Sequence, residues 1–319
     1  MTTLARWVIC SLLLLLYMTF IYWSVWQREE FGFVLFLVSP VVFGFVAGMA
    51  MPTTRADGGA NNVIEVQAGV IAMLLVAALL LLMLGVEGLL CIIMASPIVL
   101  ITGMFGGLIA YYFRVKSVSP SSSIMMALLS VGSLLVLTGV EPLVRPEPPL
   151  TPVITTMEIN APPAVVWKNV VSFDTLPAPT EWYFRAGIAA PLRARIEGNG
   201  VGAVRYCEFT TGPFVEPITV WDAPRRLAFD VVENPPAMRE LSPYPHLHTA
   251  HLDGVFESRR GEFLLTALPD GRTLLQGTTW YEHDLWPNIY WRWWTDALIH
   301  RIHLRVLNHI KDLSETPFD

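Results

Sequence analysis

The sequence predicts two folds in one chain: an all-α transmembrane bundle, then an α+β domain of antiparallel strands closed by a long C-terminal helix. Three observations carry this. The chain of 319 residues is 53% hydrophobic and only 15% charged, but the charge is unevenly placed. Residues 1–150 hold 6 of the 21 Lys/Arg and 7 of the 27 Asp/Glu, while all 7 histidines lie beyond them. From residue 153 onward the long apolar runs give way to period-2 alternation, the signature of strands. Finally, WYEHDLWPNIYWRWW (280–294) joins a last strand to a helix and holds five of the chain's 11 tryptophans.

The first half reads as spans. Residues 7–26 form a run of about 20 apolar residues, long enough to cross a bilayer. No small-residue cleavage site follows, so it is an uncleaved span. A second span covers about 31–51. The region 66–113 is too long for one helix and makes two, broken near 85–97, where GVEGLLCIIMASP suggests a short interfacial or re-entrant piece. A fifth span covers about 123–140; four spans is the alternative if that broken region is misread. The organisation expected is a transmembrane domain over 1–140, a linker with five prolines over 141–152, and a folded domain over 153–315.

With the N-terminus inside, Arg6, Arg55, Arg114 and Lys116 fall on the cytoplasmic side, which the positive-inside rule favours. Five spans then put the C-terminal domain outside the cytoplasm of a bacterial inner membrane; four would reverse this. No ionisable residue lies in the middle of a span, which argues against a pump or coupled transporter. Gly44/Gly48 and Gly103/Gly107 are both G-x-x-x-G, which allows close helix contact within one bundle or a homo-oligomer.

The second half opens with the strand VITTMEIN (153–160), a helix from Pro162–Pro163, and a short helix or turn over 175–183. Strands follow at 192–197, 203–210, 214–222, 227–233, 255–268 and 273–285, and a helix runs from Pro287 to about Ser314. Pro suits a helix's first position, where its missing N–H costs nothing. The domain is acidic without basic runs, which excludes nucleic acid as a partner.

The opening strand with NAPPAVVW (160–167), WDAPRRLAFDV (221–231), GEFLLTALPDGRTLLQGTTWY (261–281) and the long last helix resemble the SRPBCC (START-like) superfamily, which includes polyketide cyclases and lipid-transfer domains. The resemblance covers about 151–315 and implies a helix-grip fold. In that fold a curved antiparallel sheet wraps the C-terminal helix and leaves an apolar cavity between them. The 280–294 stretch would be the seam of that cavity.

Several side chains are then candidates. Cys207 should lie nearly opposite Glu216 across the 203–222 hairpin if its turn centres on Thr211–Gly212, with Arg205 on the same face as Cys207. Facing inward, Arg205 and Glu216 would orient a ligand's polar group; facing outward, they are a surface pair. Trp280, Tyr281, His283, Trp291 and Trp294 would touch a ligand. His283, between Glu282 and Asp284, is the one weak candidate for catalysis, and its neighbours should raise its pKa. Asp296, His300 and His303, with Arg292 a turn earlier, share one helix face, read as a solvated salt-bridged strip or as an acid–base pair facing the cavity. His246, His248 and His251 do not match a zinc spacing, so no metal or cofactor is expected. Cys207 has no evident partner base, which argues against a nucleophile. The reading is a membrane-anchored domain whose partners are the lipid bilayer and a hydrophobic small molecule or lipid. The rivals are a cyclase or dehydratase, and a structural or assembly protein.

Overall fold

The computed structural model describes residues 3–51, 62–115, 120–244, 247, 249 and 254–316. His246, His248 and His251 lie outside the described residues. The chain divides into two compact units: Met1–Glu147 with Glu240–His251 and Leu285–Pro287, and Pro148–Arg239 with Leu252–Asp284 and Asn288–Asp319.

The first unit is helical: α1 (Thr3–Tyr22), α2 (Ser39–Ala50), α3 (Val63–Met83), α4 (Leu89–Val115) and α5 (Pro120–Val144). Four described segments, Val8–Gln27, Val63–Met83, Leu89–Val115 and Ser121–Val144, are long and apolar enough to cross a membrane, and Val34–Ala50 is a shorter apolar helix. Asn62 starts α3 with a capping box: its side chain accepts from the Glu65 N–H at 3.1 Å, and Glu65 accepts from the Asn62 N–H at 2.8 Å.

The break between α3 and α4 lies at residues 84–88, not across 85–97. Gly85 adopts φ 66, the left-handed conformation that ends helices, and the Val86 N–H closes the turn onto Leu81 O at 2.9 Å. No re-entrant piece follows, because α4 is continuous from Leu89 with Pro97 inside it. Its first N–H groups are satisfied from outside the helix: Leu89 donates to Leu241 O at 2.9 Å and Leu90 to the Glu240 carboxylate at 3.2 Å. Tyr244 in turn donates to Met83 O, at the end of α3, at 2.6 Å.

The two G-x-x-x-G faces meet each other within the chain. A Cβ on Gly44 would collide with the Gly103 carbonyl, one on Gly106 with Val41 O, and one on Gly48 would lie 2.7 Å from Ala110. Missing side chains let two backbones approach as they do in tight membrane helix pairs.

The second unit holds one seven-stranded antiparallel sheet in the order β1-β7-β6-β5-β4-β3-β2. Its strands are β1 (Thr151–Ile159), β2 (Pro191–Glu197), β3 (Val204–Phe209), β4 (Gly212–Asp222), β5 (Arg226–Asp230), β6 (Phe256–Ala267) and β7 (Thr273–His283). The β1 register pairs Thr151 with Tyr281 and Ile159 with Thr273, so first and last strands are neighbours. Irregular registers at Pro191/Arg193, Ile218/Val220 and Ser258/Arg260 add the local bend that curls the sheet. Gly261 lets the Phe229 ring lie against the β6 backbone where a Cβ would collide with it.

Helices α6 (Pro163–Val171), α7 (Trp182–Arg185) and α8 (Asn288–Glu315) complete the unit. Val306, Leu307 and Ile310 of α8 are buried with Val166 and Val170 of α6 and with Ile159, Leu227 and Leu275 of the sheet. A smaller cluster of Val153, Tyr281 and Ile299 lies toward the other end of α8, with Phe256 against it. A curled antiparallel sheet holding a long C-terminal helix is the helix-grip fold.

The glycine contacts give a direct check. Gly44→Leu should destabilise the full chain by about 2 kcal/mol or more, the cost of overpacking a tight contact. Gly139, with open space around its Cα, should accept the same substitution without effect. Thermal unfolding of both variants in detergent would show the difference.

Candidate functional site

Strand alternation decides which side chains face α8. In β7 the buried positions include Thr273, Leu275, Tyr281 and His283, and Thr279 on the same face reaches α8. Trp280 and Glu282 point the other way. Trp280 lies under the Arg260 guanidinium at 4.2 Å and Glu282 accepts from Arg259 at 2.8 Å. Trp280 is therefore not on the face that carries Tyr281.

The β3–β4 hairpin corrects the expected register. Phe209 pairs with Gly212, so the turn is Thr210–Thr211, and Arg205 stands opposite Glu216 while Cys207 faces Phe214. Gly212 belongs to the strand and not to the turn, which shifts the pairing by two residues. The pair faces inward, with the side chains of Arg205 and Glu216 only 2% and 8% exposed and joined through Nη1 and Oε2. Three rings surround the guanidinium, Phe229 at 5.5 Å, Phe263 at 5.6 Å and Phe173 at 5.9 Å. Burial pushes the Glu216 carboxyl above the ordinary carboxylate range, and the Arg205 guanidinium pulls it back. Burial, with the Glu216 charge, pushes the Cys207 thiol up to about 12. At neutral pH it is not the thiolate that nucleophilic chemistry needs.

Phe173 also carries His309 of α8 edge-on at 5.6 Å. The buried atoms Arg205 Nε and His309 Nε2 have no hydrogen-bond partner among the described residues. Two polar groups with unused bonding capacity thus flank one phenyl ring.

A second polar group of residues lies between α8 and strands β1 and β7. Thr155 Oγ1 is 2.7 Å from His300 Nδ1 and 3.0 Å from His303 Nδ1, and Thr279 Oγ1 is 2.8 Å from His303 Nε2. Tyr281 donates to Asp296 Oδ1 at 2.5 Å, and Arg292 lies 3.7 Å from the other Asp296 oxygen. The strip is in part a solvated salt-bridged face, with the Arg292 and Asp296 side chains 44% and 38% exposed and His300 exposed, but Asp296 and His303 are also bonded to the sheet. Burial, with some help from His300, lowers the His303 pKa to about 4, and burial with the Asp296 interaction raises that of Tyr281.

His283 is buried and stacks on Tyr281 with ring centroids 5.9 Å apart. Its pKa is lowered, not raised, because burial outweighs the attraction of Asp296 and Asp284. Sequence neighbours in a strand point to opposite faces, so Glu282 does not stand beside it. Trp291 is buried, Trp294 is half-buried against Trp293 at 4.8 Å, and Trp293 is exposed. Among the described residues no cluster of His, Cys, Asp and Glu has the geometry of a metal site.

Sequence reasoning missed Phe173, Phe229 and Phe263 around Arg205, and Thr155 and Thr279 around His303. The threonines left a signal: Thr155 is the polar residue at an inward position between Val153 and Met157. The phenylalanines come from three separate segments that only the curl brings together.

No protein-family model matches the chain, and no curated protein matches it. Among solved structures, the chain is similar to the Zhui aromatase/cyclase of Streptomyces sp. R1128, with 17% identity, TM-score 0.35, and coverage of 52% of this chain and 94% of that one. It is also similar to truncated norcoclaurine synthase of Thalictrum flavum, with 10% identity, TM-score 0.35, and coverage of 55% of this chain and 99% of that one. At these values neither bears on what this chain binds.

The depressed His303 pKa gives a pH dependence with a definite sign. The neutral imidazole is favoured in the folded state, so its stability is fully present above the unfolded value near 6.5 and is lost as pH falls through about 4. The loss is at most about 3 kcal/mol. Denaturant midpoints of the full chain between pH 7 and pH 4 should fall for wild type and fall less for His303→Asn.

Proposed function

We propose that the helix-grip domain is of the SRPBCC (START-like) type. It binds a largely apolar small molecule or lipid between α8 and the concave face of the sheet, while the apolar helices anchor it to a membrane. The carrying observation is the inward Arg205–Glu216 pair in its ring of Phe173, Phe229 and Phe263. Burying two charges costs about as much as their attraction returns, so such a pair is poorly explained by stability alone. A ligand with an apolar body and one carbonyl, hydroxyl or carboxylate oxygen matches this set of side chains. The rings take the body, and Arg205 Nε and His309 Nε2 are the polar groups left to meet the oxygen.

A cyclase or dehydratase is the second reading. What favours it is the buried imidazole of His283 stacked on the Tyr281–Asp296 pair, because an imidazole kept neutral is available as a base. Turnover of a polyketide-like or aromatic substrate, lost in His283→Gln with binding intact, would favour it over simple binding.

Two variants test the binding reading. Arg205→Met alone leaves Glu216 buried without its partner and should cost about 3–5 kcal/mol. The double variant Arg205→Met, Glu216→Leu should recover most of that stability but retain at least tenfold less ligand. Native mass spectrometry and solvent extraction of the full-length protein in detergent would measure this. Equal retention by wild type and a folded double variant, or no co-purifying molecule in either, would defeat the reading.

A further inference from the structure

We propose that the head of α8 lies in the lipid interface, with Ile289 and Trp293 seated between headgroups and acyl chains. Ile289 and Trp293 are one helical turn apart on one face, and they are 84% and 66% exposed. Trp291, between them in sequence, is buried. Arg292 adds a half-exposed cation beside the pair, suited to a lipid phosphate. Two exposed apolar side chains are ordinary by themselves; their place in the chain is not.

The three residues before α8, Leu285–Pro287, fold with the helical unit. The Trp286 N–H donates to Phe31 O at 2.9 Å, and the Arg145 guanidinium lies over the Trp286 ring at 5.9 Å. Phe31 directly follows the charged group Arg28, Glu29 and Glu30, which separates Val8–Gln27 from Val34–Ala50, and Arg145 directly follows Ser121–Val144. Charges at the ends of apolar helices mark the water boundary of the bilayer, and tryptophans collect there. Trp23, with the Arg28 guanidinium 5.2 Å from its ring, has that setting, and so does Trp286. Ile289 is two residues beyond Pro287, so the chain holds it within about 7 Å of that boundary residue. Trp293 follows about 6 Å further along the helix. An exposed Ile and Trp held this close along the chain to a boundary tryptophan match a lipid interface better than water or a protein groove.

The inference rests on the apolar helices spanning the bilayer, and the test separates the two. A genetically encoded environment-sensitive fluorophore replaces Ile289, Leu128 in α5, or Val201 in the exposed turn before β3, in the full chain in phosphatidylcholine/phosphatidylglycerol vesicles. Position 289 should be quenched at least twofold more than 201 by lipids labelled near the headgroup, and iodide should reach it less. Position 128 should respond only to lipids labelled deep in the acyl chain. Iodide access at 289 equal to that at 201, or shielding from both quenchers, would overturn the proposal while leaving the spans intact. A position 128 open to iodide would overturn the spanning reading and this inference with it.

Discussion

Arg205 and Glu216 face each other across the β3–β4 ladder on the inside of the curled sheet, and much of the domain's interior is arranged around accommodating them. Ionic groups out of water need both a partner and a polarisable surround. The partner comes from the tight Thr210–Thr211 turn, which sets the register that brings the two side chains opposite. The surround comes from Phe173 after α6, Phe229 of β5 and Phe263 of β6. A one-residue slip in either strand would turn one charge outward and leave the other buried alone. The pair therefore constrains the hairpin, the curl and the position of the loop carrying Phe173 together.

Helix α8 is held in two different ways along its length. Val306, Leu307 and Ile310 pack into the apolar core. Nearer its start, Asp296, His300 and His303 are hydrogen-bonded to Tyr281, Thr155 and Thr279. Directional bonds fix the helix's rotation more tightly than apolar packing does. That rotation points His309 toward Phe173 and leaves Ile289 and Trp293 on the outside. The proposed binding inside and the proposed lipid contact outside thus rest on one helix orientation.

Much of this was legible in the sequence. Alternation located all seven strands to within a few residues, and Pro287 located the start of the last helix. The inward Arg205 and Glu216 were left undecided because alternation gives two faces without saying which one is buried. The expected register failed because Gly212 looks like a turn residue but takes a strand position. His283 was misjudged because its burial, which outweighs the attraction of Asp284 and Asp296, is not legible in its charged sequence neighbours. The helix break was drawn too wide because Pro97 reads as a breaker, although Gly85 had already ended α3 and α4 runs through the proline. The phenylalanine ring was not legible, since nothing local links positions 173, 229 and 263.

The central claim is that a buried charge pair is kept at the inner face of the sheet to meet a bound molecule. An experimental density map of the full-length protein, purified without added ligand and examined around Arg205, tests it most directly. The account predicts Arg205 paired with Glu216 inside the Phe173, Phe229 and Phe263 ring, and extra density within hydrogen-bonding distance of Arg205 Nε or His309 Nε2. An outward-turned Arg205, or an interior closed by side chains up to the guanidinium, would contradict it.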